Sequence, residues 1–122
     1  MRKVLIVEDD EDTRRTLEAI LAQEGYQPVG VEAGDDAIEY LSAHEPPCLV
    51  LLDLHLPRLS GLELLRWLNG QEQLRSVRIA VVTAARGPDR ELPAFREHVV
   101  AVLEKPFDLG PVLRMVEEHC AT

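Results

Sequence analysis

Four short apolar runs punctuate the chain: Val4–Val7, Cys48–Leu52, Ile79–Val82 and Val99–Leu103. With no polar residue inside them, they read as strands buried on both faces, as in a parallel sheet covered by helices. A weaker run, Gln27–Val31, contains Pro28, which has no N–H for a ladder, and Gly30, which packs nothing. It is expected at a sheet edge. Between the runs, apolar residues recur at helical spacing. Leu17, Ile20 and Leu21 mark a first helix, capped by Asp10 and ending near Gly25. Ala37, Ile38 and Leu41 mark a second. Ser60 and Glu63 have the spacing of a capping box, ahead of a third helix whose inner face is Leu62, Leu65 and Leu68. Arg86–Pro93 is expected to hold a fourth helix, short or mobile because Pro93 removes an internal hydrogen bond. A last helix starts near Asp108, tolerates Pro111 in its first turn, and buries Leu109, Val112, Leu113 and Val116. Strand and helix alternate throughout, which predicts an α/β domain with helices on both faces of a parallel sheet.

The 122 residues fit one domain, 1–122, long enough to bury a real core. Hydrophobic and charged fractions of 46% and 29% are ordinary for a globular protein. The formal net charge of −9, from 22 acids against 13 bases, gives no electrostatic footing for binding a phosphate backbone, so direct nucleic-acid binding is not expected. Met1-Arg2-Lys3 runs straight into a four-residue apolar stretch, too short for a signal peptide or membrane span. Cys48 and Cys120 form no metal-spaced or redox motif, and Cys48 reads as a buried core thiol. A cytoplasmic location without membrane attachment is expected.

Candidate chemistry lies where the apolar runs stop. Glu8-Asp9 follows the first strand, Asp53 the third, Thr83 the fourth, and Glu104-Lys105-Pro106 the fifth. In a parallel sheet these ends share one edge, where open α/β sheets place their sites. Glu8, Asp9 and Asp53 offer hard oxygens suited to magnesium, without which three gathered carboxylates would repel one another. Asp53 is then placed to attack phosphorus and form an acyl phosphate. Lys105 can pair with the phosphoryl oxygens, and the Thr83 hydroxyl can donate to one of them. Taken singly, each residue has a plainer use. The Glu8–Asp12 acids suit a helix N-terminus, and Asp53 or Thr83 suits a turn. Their joint occurrence at four strand ends is what carries the reading. His55 is expected to face solvent, His44, His98 and His119 read as surface residues, and Trp67 as partly buried beside the leucine stripe.

With Glu8-Asp9, the segment Asp53-Leu54-His55-Leu56-Pro57-Arg58-Leu59-Ser60-Gly61, Thr83-Ala84 and Lys105-Pro106-Phe107, the chain resembles the response-regulator receiver domains of two-component signalling along essentially its whole length. The resemblance implies a flavodoxin-like, doubly wound five-stranded parallel sheet in the order 2-1-3-4-5, flanked by five helices. It implies that Asp53 accepts a phosphoryl group from a histidine of a sensor kinase or phosphotransfer protein, and that the domain promotes its own phosphorylation and dephosphorylation without being an enzyme in the ordinary sense. Magnesium would be held by Asp9, Asp53 and the His55 backbone carbonyl, with Glu8 acting largely through water. Thr83 and Lys105 would grip the phosphoryl group, and Lys105-Pro106 is where the family commonly has a cis peptide. The output would be a changed contact with a downstream protein effector.

Two departures stand out. Three residues before Lys105, where the family often has an inward-turning aromatic, this chain has Val102, and the expected fourth helix carries both Pro88 and Pro93. These support a rival reading, an interaction module that works without phosphorylation, but the intact Glu8-Asp9 pair, Asp53, Thr83 and Lys105 weigh against it. A haloacid dehalogenase-type phosphatase would want an aspartate where His55 stands. A flavodoxin-like cofactor binder would want a hydroxyl- or glycine-rich loop where Glu8-Asp9-Asp10 would repel phosphate.

Overall fold

In the computed structural model, residues 2–83, 92–106 and 108–120 are described. Five strands, β1 (Lys3–Val7), β2 (Gln27–Val31), β3 (Leu49–Asp53), β4 (Ile79–Thr83) and β5 (Val99–Glu104), form one sheet in the order 2-1-3-4-5. Every neighbouring pair is parallel. The helices are α1 (Glu11–Gln23), α2 (Gly34–Ala43), α3 (Gly61–Asn69) and α4 (Leu109–Cys120), with short 3-10 turns at Glu72–Leu74 and Leu92–Phe95.

Alternate residues of each inner strand feed two cores. Leu5, Val7, Val50, Leu52, Ile79 and Val81 pack on α2 and α3 through Ala37, Leu41, Leu64, Leu65 and Leu68. Val4, Ile6, Leu49, Leu51 and Ala80 pack on α1 and α4 through Leu17, Leu21, Val112 and Val116. Burial of β3 and β4 is complete on both faces, as their apolar runs require. The weak strand β2 lies at the edge, with Pro28 opposite Val4.

Local signals fix the helix starts. The Asp10 side chain accepts from the Thr13 N–H at 3.0 Å and caps α1, while Gly25, at φ 92°, turns the chain out of it. Ser60 and Glu63 form the reciprocal capping box of α3.

Several expectations need correction. Among the described residues there are four α-helices rather than five. The expected fourth helix falls largely on residues 84–91, outside the described ones, and from Leu92 the chain is a single 3-10 turn that includes Pro93. The Val99–Leu103 run is not buried on both faces. β5 is the second edge strand, and its register against β4 slips between Ile79 and Ala80. Val100 and Val102 are left 37% and 52% exposed. On α3 it is Leu64 that is fully enclosed, and Leu62 only half-buried. His98 is buried rather than on the surface, its Nδ1 2.9 Å from the Val77 carbonyl oxygen. Cys48 is not a free core thiol: it is half-buried and joined to Cys120 by a disulfide across 72 residues of sequence.

Candidate functional site

The carboxyl ends of β1, β3, β4 and β5 meet as the strand order requires. Glu8 follows β1, and its backbone N–H donates to the Val31 carbonyl at 3.0 Å, extending the β1–β2 ladder by one residue. This fixes the side chain at the sheet edge, where it is 3% exposed; Asp9, one residue on, is exposed. Arg14 of α1 donates to the Glu8 carbonyl at 2.9 Å and braces the same corner. Asp53 and Thr83 are the last residues of β3 and β4, and both are buried.

Lys105 follows β5, and its backbone N–H donates to the Thr83 carbonyl at 2.8 Å. The Lys105–Pro106 peptide is cis. From there the ammonium reaches Glu8 Oε1 at 2.7 Å and Asp53 Oδ2 at 3.0 Å. The other Asp53 oxygen, Oδ1, accepts from the His55 N–H at 2.9 Å. The His55 side chain is exposed as expected, so this residue enters the site through its backbone.

One oxygen each of Glu8, Asp9 and Asp53 lie within 4.8 Å of one another. Hard carboxylate oxygens so close, one of them open to solvent, suit a divalent ion such as magnesium, which keeps part of its water shell. Burial pushes the Glu8 carboxyl above its ordinary range and the Asp53 charge adds to this; the Lys105 and Asp10 N–H donors pull the other way. For Lys105, burial works against the charged form, yet its bonds to Glu8 and Asp53 outweigh that and leave its pKa raised. The ammonium is therefore charged at neutral pH and offsets part of the negative charge of the three carboxylates. A groove of about 660 Å³ opens beside it, lined by Thr13, Thr16, Leu17, Lys105, Pro106 and Leu109 among others.

The loop after β3 is held from below. Gly61 passes so close that a Cβ there would stand 2.7 Å from Leu54 Cα and 2.8 Å from the Asp53 carbonyl oxygen. Arg58, at φ 62°, pairs with Asp35 and Asp36 at the start of α2, at 2.8 and 3.0 Å. The Arg58 brace and the Arg14 contact were not among the expected site features. Arg58 lies inside the quoted Asp53–Gly61 segment, but its partners lie more than twenty residues upstream, and nothing in spacing points to them.

Fold and site together define a flavodoxin-like α/β signalling domain whose acidic pocket fits a phosphoacceptor site. The sequence matches the response regulator receiver domain over residues 4–117, and the chain belongs to that family. The polar-differentiation response regulator DivK of Brucella ovis is 35% identical over 118 residues, which are 97% of this chain and 95% of that protein. Among solved structures, the signal receiver domain of a putative Luxo repressor protein from Vibrio parahaemolyticus superposes with a TM-score of 0.86 at 29% identity, covering 98% of this chain and 91% of that one. The receiver domain of a sensor histidine kinase from Pseudomonas aeruginosa, described with a magnesium ion coordinated in its active site cleft, gives a TM-score of 0.83 at 25% identity, covering 99% of this chain and 98% of that one.

Proposed function

We propose that residues 1–122 act as one phospho-accepting unit in which Asp53 takes a phosphoryl group from a phosphohistidine of a sensor histidine kinase or phosphotransfer protein. The carrying observation is the convergence of Lys105 on Asp53 and Glu8, at 3.0 and 2.7 Å, beside the Glu8–Asp9–Asp53 oxygen cluster. Asp9, Asp53 and the His55 carbonyl would hold magnesium, with Glu8 acting largely through water. Bound there, the ion supplies positive charge against which both the carboxylates and an incoming phosphoryl group are stabilised.

The remaining steps belong to the chain's own residues. An Asp53 carboxylate oxygen bonds to phosphorus while the bond from phosphorus to the donor imidazole nitrogen breaks; the nitrogen keeps the electron pair and is reprotonated. Lys105 moves its hydrogen bonding from the carboxylates to the phosphoryl oxygens, and the Thr83 hydroxyl donates to another. Because that reorganises the ends of β4 and β5 together, the phosphorylated form differs in the surface offered to a protein effector. In this reading the domain speeds its own phosphorylation and dephosphorylation, and works in the cytoplasm. Among the described residues, no helix is long and apolar enough to cross a membrane.

The test is intact-mass measurement after incubation with acetyl phosphate and magnesium, on the parent and on Asp53→Asn. A single phosphoryl gain on the parent and none on the variant is expected. No gain on either would transfer support to the phosphorylation-independent module, the reading that exposed Val102 favours.

A further inference from the structure

At the end of the sheet opposite Asp53, the disulfide ties the residue before β3 to the last residue of α4, with the two Cα atoms 5.3 Å apart. Its two sulfurs sit in unlike surroundings. Cys120 is 3% exposed and packs with Val112 and Val116. Cys48 is half-buried and lines a cleft of about 220 Å³ with Arg2, Lys3, Glu45 and Pro46. Arg2 is fixed there by a hydrogen bond to the Cys120 carbonyl at 3.1 Å and by stacking over the Tyr26 ring at 4.8 Å.

We propose that Cys48–Cys120 is a thiol–disulfide exchange site, entered through this cleft by a small anionic thiol that attacks Cys48, and that exchange frees α4 from the base of β3. Access selects the sulfur, since exchange requires an approach to the one attacked, and of the two cysteines it is Cys48 that lines the opening among the described residues. Charge selects the reagent. Among the described residues, two cationic side chains line the cleft against one carboxylate, that of Glu45, which favours a thiol carrying carboxylates over one without them.

Both redox states are provided for. The Lys3 carbonyl oxygen lies 3.2 Å from Cys48 Sγ, so the reduced thiol finds an acceptor without moving. The reduced Cys120 stays in an apolar pocket, where a thiol packs as a small hydrophobe.

The exchange balances in two steps. A reagent thiolate bonds to Cys48 Sγ, the Cys48–Cys120 bond breaks, and its electron pair leaves on Cys120, which takes a proton from water. A second reagent thiolate then attacks the reagent sulfur of the mixed disulfide, releasing the reagent as its own disulfide and Cys48 as a thiolate that is protonated in turn. Two reagent thiols are oxidised as the protein disulfide is reduced to two thiols.

The full chain, purified without reductant, is equilibrated in buffers of graded glutathione to glutathione disulfide ratio, quenched with maleimide and weighed intact. Expected is a reversible passage from zero to two alkylated cysteines, accompanied by a fall in Tm of about 5 °C or more on reduction, since a long loop is opened. With glutathione disulfide, Cys120→Ser takes up one glutathione at Cys48 whereas Cys48→Ser takes up little at Cys120. Lys3→Gln slows exchange by glutathione at least about threefold and slows exchange by 2-mercaptoethanol, whose thiolate carries no carboxylate, by a smaller factor. Two thiols that stay unlinked under oxidising glutathione overturn the proposal, as does equal uptake by the two serine variants. The parent titration needs no variant to fold, and none of these readouts depends on Asp53 phosphorylation.

Discussion

The Lys105 ammonium donates to Asp53 Oδ2 at 3.0 Å, although β4 separates the strands that carry the two residues. The same nitrogen reaches Glu8 at the end of β1. One side chain therefore spans the carboxyl edge from β5 across β4 and β3 to β1. Its position is set by the backbone bond from Lys105 to Thr83, which locks the end of β5 against the end of β4.

Removing that nitrogen leaves Glu8 and Asp53 facing each other in a buried corner. Lys105→Met is expected to lower stability by about 1–3 kcal/mol at pH 8, the range for stranding one side of a partly buried charged pair. The loss shrinks at pH 5, where Glu8 can take up a proton instead. Urea denaturation at both pH values measures this, and a pH-independent loss would place the effect in packing rather than charge. Adding Glu8→Gln to Lys105→Met should restore part of the stability at pH 8. Phosphorylation of Lys105→Met by acetyl phosphate is expected to be at least about tenfold slower than in the parent.

Glu8 itself gives a pH dependence with a definite sign. Burial holds its folded pKa above the ordinary value of 4.5. Between these two values the folded protein keeps a proton that the unfolded chain has lost, so the contribution of Glu8 to stability falls as pH rises through that window. Glu8→Gln cannot titrate. In buffer with EDTA, the Tm of the parent relative to Glu8→Gln is expected to drop as pH rises above about 4.5. A difference that stays flat or climbs from pH 4.5 to 8 contradicts a destabilised Glu8 carboxylate.

Residues whose environment is set by their own segment were legible in the sequence. Asp10, Ser60 with Glu63, and the polar residues closing each strand declare themselves by position, because capping and strand termination act over a few residues. The four strand-end groups needed one further assumption, parallel strands, to be brought together. What stayed hidden depends on contacts between distant segments. Val99–Leu103 reads like Cys48–Leu52, yet a strand with one neighbour and a slipped register cannot cover both faces. His98 sits in no periodic element, and its burial follows from the approach of the Val77 carbonyl. The closeness of Cys48 and Cys120 follows from where α4 ends over the sheet, which the spacing of two cysteines does not encode.

Gly61 ties the fold to the site through backbone packed against backbone. A Cβ there would stand 2.8 Å from the Asp53 carbonyl oxygen and 2.7 Å from Leu54 Cα, backbone atoms that have no rotamer to change. Gly61→Ala is expected to destabilise by about 1–3 kcal/mol, the usual range for overpacking, and to slow phosphorylation as well, because the relief available is a shift of the segment that bears Asp53. Gly34→Ala, whose Cβ would meet the Leu59 carbonyl oxygen, strains the same loop from the other side and makes a second measure of this coupling. At Gly70, where a Cβ would only touch the Trp67 carbonyl oxygen at 3.5 Å, Gly70→Ala should leave phosphorylation unchanged. Parent-like phosphorylation in Gly61→Ala would separate the loop from the chemistry.

Magnesium should act on this protein as a site ligand and not merely as a screen for its −9 net charge. The two effects have different signatures. Screening depends on ionic strength and is shared by all salts, whereas a site formed by Glu8, Asp9 and Asp53 oxygens within 4.8 Å of one another responds to the ion itself. A ligand at ten times its Kd stabilises the folded state by about 1.4 kcal/mol, which in a domain of this size raises Tm by about 4 °C or more. Magnesium chloride is therefore expected to raise Tm beyond sodium chloride of equal ionic strength, with saturation. Asp9→Asn and Asp53→Asn should each abolish the excess. A substitution far from the cluster, Glu72→Gln in the turn before β4, should leave it intact. If the two salts superimpose, magnesium acts only as a screen; if Asp53→Asn retains the full excess, the ion is bound away from the Glu8–Asp9–Asp53 cluster.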